Sequence, residues 1–204
     1  LPTCDVVIDF SLPAGTAYWA KQAADAGTPF MSGTTGLDDD ANNTLEQASQ
    51  RVAVLHATNT SLGVALLNRL AADAARILGS DFDCEIVEAH HRHKRDAPSG
   101  TADTLAAYIL DARQQDAAAL RFGRHGNDAI RQAGSIGVHS LRLGDVVGRH
   151  EAHFAGVGER LCVWHEATDR RTFARGALRA AQWLTDKAAG RYTMDDVLDA
   201  AMKD

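Results

Sequence analysis

Glu88-Ala89-His90-His91-Arg92-His93-Lys94 puts three imidazoles, a guanidinium and an ammonium within seven residues, and Asp96-Ala97-Pro98-Ser99-Gly100-Thr101 follows at once. Cations packed so closely repel one another unless an anion sits among them. Histidine is the side chain whose proton moves most readily near neutral pH. The Ser-Gly-Thr step opens a stretch of helical composition, and a helix start offers N–H groups and a positive dipole end to a carboxylate or phosphate. These residue types in this order support a proton donor beside an anion hole. Two rival readings are a solvated basic turn after a strand and a zinc site. His90, His91 and His93 are too close in sequence to converge easily on one ion, and no H-E-x-x-H or C-x-x-C accompanies them. Glu88 either orients His90 or pairs with Arg92. His56, His125, His139, His150, His153 and His165 are scattered and read as structural or surface residues.

The elements that must hold this stretch can be read from the pattern around it. Residues 5–9, 29–31 and 52–56 are short apolar runs of buried-strand type, separated by helical stretches at 14–26 and 37–50. Strand and helix in alternation with short connections signal a parallel α/β sheet, whose ligands bind beyond the carboxyl ends of the strands. Those ends are Asp9-Phe10-Ser11, Gly33-Thr34-Thr35-Gly36 and Ala57-Thr58-Asn59-Thr60, small or hydroxylated loops that suit one shared crevice. Any one of them alone reads as ordinary turn chemistry. Thr60 or Ser61 is placed to cap a long helix over 62–78. A strand over 82–88 then delivers the histidines, with a helix at 101–112 and a polar, mobile loop at 114–132. If residues 90–94 formed one helical turn, His90 and Lys94 would share a side. Three strands at 135–143, 146–154 and 160–167 suggest a mixed or antiparallel sheet, before helices at 173–187 and 194–202. No G-x-G-x-x-G appears, so the usual dinucleotide phosphate fingerprint is missing.

Composition bounds the rest. With 45% hydrophobic and 24% charged residues the 204-residue chain has ordinary globular composition, and a net charge of −6 excludes a global nucleic-acid footprint. No apolar run is long enough for a membrane span and no signal-peptide pattern is present. Cys4, Cys84 and Cys162 are scattered, which points to a reducing, cytoplasmic setting without a disulfide framework. The chain starts without Met and runs almost directly into Val6-Val7-Ile8, so an element N-terminal to it is expected.

In order, Asp-Phe-Ser, Ser-Gly-Thr-Thr-Gly, Asn59, Glu-Ala-His-His-Arg-His-Lys, Pro-Ser-Gly-Thr-Ala and Gly144-Asp145-Val146-Val147-Gly148 resemble the 4-hydroxy-tetrahydrodipicolinate reductase (dihydrodipicolinate reductase) family of lysine biosynthesis. The likeness covers residues 5–200; the paired E-A-H-H-R-H-K and P-S-G-T motifs are its specific part. The resemblance implies reduction of a cyclic dicarboxylated substrate by NADH or NADPH. His90 matches the family's proton donor and Lys94 its second catalytic residue. His91, Ser99, Gly100 and Thr101 match the stretch that holds the substrate carboxylates. Gly33, Thr34 and Thr35, with Ala57, Thr58, Asn59 and Thr60, match the loops at the nicotinamide end of the cofactor, and Phe10 and Ser11 join them at the first strand end. Family members are homotetramers joined through their C-terminal sheets, here between residues 135 and 167. The family's first βαβ unit has no counterpart, so roughly the first quarter of such a protein is expected to be missing. The implied fold is α/β. Residues 1–60 and 172–204 form a partial Rossmann-type parallel-sheet lobe, and 61–171 an α+β substrate and tetramerisation lobe with a mixed sheet. The competing functions are a substrate-binding or assembly fragment without catalysis, and another two-lobed amino-acid dehydrogenase. No nucleic-acid or membrane partner is expected.

Overall fold

The computed structural model describes residues 3–202. In chain order the first elements are β1 (Val7–Asp9), α1 (Pro13–Ala26), β2 (Phe30–Ser32), α2 (Asp39–Ser49), β3 (Ala53–His56) and α3 (Leu62–Leu78). Next come β4 (Asp83–His90), α4 (Gly100–Ala112), β5 (Leu120–Phe122), β6 (Ile136–Arg142), β7 (Gly148–Gly156) and β8 (Glu159–Ala167). Finally α5 (Arg171–Leu184), β9 (Gly190–Tyr192) and α6 (Met194–Ala201) close the chain. The chain up to Ala65, with the part from Arg171 onward, makes one compact unit, and Leu66–Arg170 makes a second.

The first unit is built on a four-stranded parallel sheet in the order β1-β2-β3-β9. Side chains alternate across its strands, so Phe30 and Val54 pack with Ala20, Ala23, Leu45 and Ala48 of α1 and α2. Met31 and Leu55 point the other way, onto Ala177, Ala180 and Leu184 of α5 and Val197 of α6. Local chemistry sets the boundaries. Pro13 occupies the first turn of α1, Gly27 ends it at φ +67°, and the Asp38 side chain caps α2 by accepting the Ala41 N–H at 2.8 Å. β9 was not foreseen: Gly-Arg-Tyr has no apolar run, and its strand form comes from parallel pairing with β3.

The second unit holds a mixed five-stranded sheet in the order β5-β6-β4-β7-β8, with β5, β6 and β4 parallel and β7 and β8 antiparallel to their neighbours. Leu67, Ala71 and Ala75 of α3 and Leu105, Ala106 and Ile109 of α4 cover one face, over Cys84, Ile86, Ile136, Val138, Ala152 and Phe154. Continuing the alternation beyond Ile86 puts Glu88 and His90 on this covered face at the strand's end.

Two local expectations are corrected here. The 114–132 segment is not all loop: a 3₁₀ turn leads into β5, while Arg131 pairs with Asp83 at 2.8 Å and contacts Glu85, and Arg124 reaches Glu85 at 2.7 Å. The pairing of β4 and β6 brings Glu85 to its arginines. Residues 91–99 do not form a helical turn. β4 runs on to His90, and the segment leaves as a turn held by Lys94 N–H to the His91 carbonyl and Arg92 N–H to the Gly144 carbonyl. Lys94 is therefore placed by a loop.

Candidate active site

At the end of β4 the Glu88 carboxylate is fully buried, and its Oε2 lies 2.6 Å from Nδ1 of His90. Arg142, at the end of the neighbouring β6, grips the same carboxylate through two bonds of 2.9 Å. Burial alone would raise the Glu88 carboxyl, but hydrogen bonds from His90, Arg142 and Ser140 outweigh it and bring the pKa down to about 2. Glu88 is thus an anion at neutral pH. Its partner is His90 rather than Arg92, the other pairing open in the sequence.

The His90 side chain keeps 11% of its surface exposed. Its ring meets His150 of β7 edge-on, 5.1 Å between centroids. His150 is buried, and burial first, then the charge of His90, pushes its pKa down to about 3, so it is neutral. His150 Nε2 lies 2.9 Å from the Ser99 hydroxyl, which also caps α4 by accepting the Ala102 N–H at 3.2 Å. One neutral imidazole therefore joins the His90 ring to the start of α4. The first backbone bond of that helix runs from the Asp103 N–H to the Ser99 carbonyl, so Gly100 and Thr101 form its opening turn. A Cβ built on Gly100 meets no atom within 4 Å, so there is room for an anion.

Lys94 is held by Asp96, 2.8 Å from Nζ, and that contact lowers the Asp96 pKa. His91 Nε2 lies 3.4 Å from Arg170 Nη2. The His91 pKa is lowered, by desolvation first and then by Arg170, His90, His93 and Lys94. This basic cluster and the start of α4 are both near the His90 end of β4 in the chain. Of the sequence candidates, Ser99 turns out to set the helix start, with its hydroxyl engaged at 2% exposure. Arg142 and Arg170 were not assigned roles from the sequence, His150 was read as structural or surface, and Glu88 was left between His90 and Arg92. A spacing of two along a strand favours the Glu88–His90 pair; the others arrive by long-range pairing.

In the first unit the strand-end loops are organised by one carboxylate. Asp9 accepts hydrogen bonds from the hydroxyls of Ser11 (2.6 Å), Thr16 (2.5 Å), Ser32 (2.8 Å) and Thr34 (3.0 Å). Burial would raise its pKa, but these hydrogen bonds outweigh that and lower it. Gly33 N–H donates to the Asp9 carbonyl, Ala57 N–H to the Ser32 carbonyl, and His56 Nε2 lies 2.8 Å from the Thr34 carbonyl oxygen. The Thr60 hydroxyl donates to the Phe173 carbonyl, and Asn59 Oδ1 accepts from Ser61 N–H. Phe10, Ser11, Thr35 and Thr58 remain exposed, with the Phe10 ring lying over Gly33, where a Cβ would collide with it. An open aromatic face among hydroxyl and backbone groups fits the nicotinamide end of a reduced dinucleotide. The sequence carries no glycine-rich loop for its phosphates.

Among the described residues Glu151, His153 and Cys162 bring possible metal-ligating atoms within 4.8 Å of one another. Arg149 lies 2.8 Å from Glu151, whose other oxygen is 2.9 Å from His153, so the group is also an ion-pair network on β7 and β8.

Comparison with known proteins agrees with the fold and the motifs. A family model described as dihydrodipicolinate reductase, C-terminus, matches residues 63–198, and its N-terminus counterpart matches residues 1–60. The 4-hydroxy-tetrahydrodipicolinate reductase of Nitratiruptor sp. is 49% identical over 195 residues, 95% of this chain and 76% of that protein. That of Wolinella succinogenes is 50% identical over 200 residues, 97% of this chain and 78% of its own length. Among solved structures, a dipicolinate-bound dihydrodipicolinate reductase from Paenisporosarcina sp. TG-14 shares the fold at a TM-score of 0.74 and 23% identity, covering 93% of this chain and 71% of that one. Two matching family models and relatives of about half identity over nearly the whole chain make it a member of the dihydrodipicolinate reductase family.

Proposed function

We propose that the chain reduces 4-hydroxy-tetrahydrodipicolinate to tetrahydrodipicolinate with NADH or NADPH, on the diaminopimelate route to lysine. The observation that carries the reading is an imidazole held by a buried carboxylate and joined through His150 and Ser99 to the start of α4. A bound reduced nicotinamide, held at its ring end by Phe10, Ser11, Gly33, Thr34, Thr35 and residues 57–60, supplies the hydride. The residues of the second unit do the rest. The N–H groups of Gly100 and Thr101 and the charges of His91 and Lys94 bind the two carboxylates, with Lys94 exchanging exposed Asp96 for substrate. After the 4-hydroxyl has left as water, hydride adds to one end of the resulting double bond and His90 gives its Nε2 proton to the other, with Glu88 holding the Nδ1 side of the ring.

Homotetramer assembly through the five-stranded sheet completes the reading, since β8 is an edge strand with Leu161 and Trp164 exposed. We place the protein in the cytoplasm; no described helix is long and apolar enough to cross a membrane. Steady-state oxidation of NADH and NADPH by the purified chain, with and without the substrate, tests the function. Substrate-dependent oxidation is expected with at least one of them, and none with either would leave a binding or assembly fragment.

The lowered pKa of His91 makes binding pH-dependent. A carboxylate beside His91 raises that pKa, so binding takes up a proton. Affinity for dipicolinate should therefore weaken as pH rises past the lowered His91 pKa towards its value in the complex. Calorimetry in buffers of different ionisation enthalpy would register the proton uptake, and a pH-independent affinity would remove His91 from the anion site.

A further inference from the structure

We propose that Glu88, clamped by Arg142, is a positioning residue that holds the Nδ1–H of His90 and thereby makes Nε2 the atom that carries the transferable proton. The inference rests on the proton-donor reading of His90 given above. A carboxylate only accepts hydrogen bonds, so a 2.6 Å contact from Glu88 Oε2 to Nδ1 puts a proton on Nδ1 whether the ring is neutral or charged. The neutral ring then has its lone pair on Nε2, for which no hydrogen-bond partner is found among the described residues. Gly148 keeps that edge open, because a Cβ there would sit 3.1 Å from Nε2.

Arg142 gives the arrangement its direction. Its two bonds fix the plane of the Glu88 carboxylate, and Nη2 also donates to the Asp96 carbonyl at 2.6 Å. Asp96 is the residue whose side chain holds Lys94. One guanidinium thus ties the proton donor to the loop bearing the second candidate. The other groups around the pair are neutral His150 from β7, Ser140 from β6, Lys94 and Asp96 from the loop, and Asp103 from α4, whose pKa is raised by burial and then by Asp96 and Glu88. Ser140 also bonds Glu88, and none of them competes for Nδ1.

A buried ion pair serving only the fold would look similar, so the test reads what folding alone would not move. In the full chain labelled with ¹⁵N-histidine, long-range ¹H–¹⁵N spectra above the imidazolium range should show His90 as the Nδ1–H tautomer. The Nε2–H tautomer overturns the proposal, and this measurement needs no variant to fold. Glu88→Gln should lower kcat per folded molecule by about 10- to 100-fold while KM for the dicarboxylate changes less than about threefold. Glu88→Asp should recover part of the loss. Full turnover in Glu88→Gln overturns the positioning role alone, provided that His90→Gln is impaired; full turnover in His90→Gln overturns the proton-donor reading beneath it.

Discussion

His90→Gln is expected to lower kcat by about 10²- to 10⁴-fold, the usual contribution of a positioned general acid, while KM for the dicarboxylate stays within about threefold. That loss corresponds to about 3–5 kcal/mol of transition-state stabilisation. The substitution suits the site because a glutamine amide can still donate to Glu88, so the buried Glu88–Arg142 pair keeps its partners. What glutamine lacks is a proton to give at neutral pH. The substrate's carboxylates are assigned to Gly100, Thr101, His91 and Lys94, so ground-state binding has no reason to fall in step. Steady-state kinetics on a variant whose thermal unfolding matches the parent separates the two effects. A change confined to KM would make His90 a binding group and return the proton to solvent or to another residue.

The residues that proved hardest to read in the sequence are those that reach the site from afar. The parallel sheet of the first unit was legible because each of its first three strands is an apolar run followed by a helix with its own stop signal, as with Gly27 after α1. β5 and β9 were not, since three-residue strands carry no periodicity and exist through their neighbours. The motif residues His90, Gly100 and Thr101 were legible because their chemistry is written in adjacent positions. Arg142 was not, because it meets Glu88 only through the register that pairs Glu88 with Ser140 and His90 with Arg142 across β4 and β6. The register of β4 and β7 hid His150 in the same way. The His90–Lys94 relation was misread for a different reason. A spacing of four brings side chains together only in a helix, and here the backbone stays extended as far as His90.

Gly176→Ala should destabilise the first unit by about 2 kcal/mol, against the helix propensity that favours alanine. Gly176 is buried in α5, and in a free helix alanine there would gain about 1 kcal/mol. In this fold a Cβ at Gly176 falls against the backbone of Thr60, 2.8 Å from the carbonyl carbon and nearer still to its oxygen. A flexible side chain could turn aside, but this carbonyl is fixed. The Thr60 hydroxyl is bonded to the Phe173 carbonyl at 2.7 Å, and Ser61 N–H is held by Asn59. Either α5 or the 57–60 loop must move, at the upper end of the roughly 1–3 kcal/mol that overpacking costs, so sterics outweigh propensity. For a chain of this size the net loss lowers the unfolding midpoint by about 4–8 °C. Because the displaced loop belongs to the proposed nicotinamide site, weaker NADH or NADPH binding should accompany the lower midpoint. Calorimetry and fluorescence titration of the same variant would measure both. A midpoint equal to or above the parent's would mean that α5 and the loop do not approach so closely.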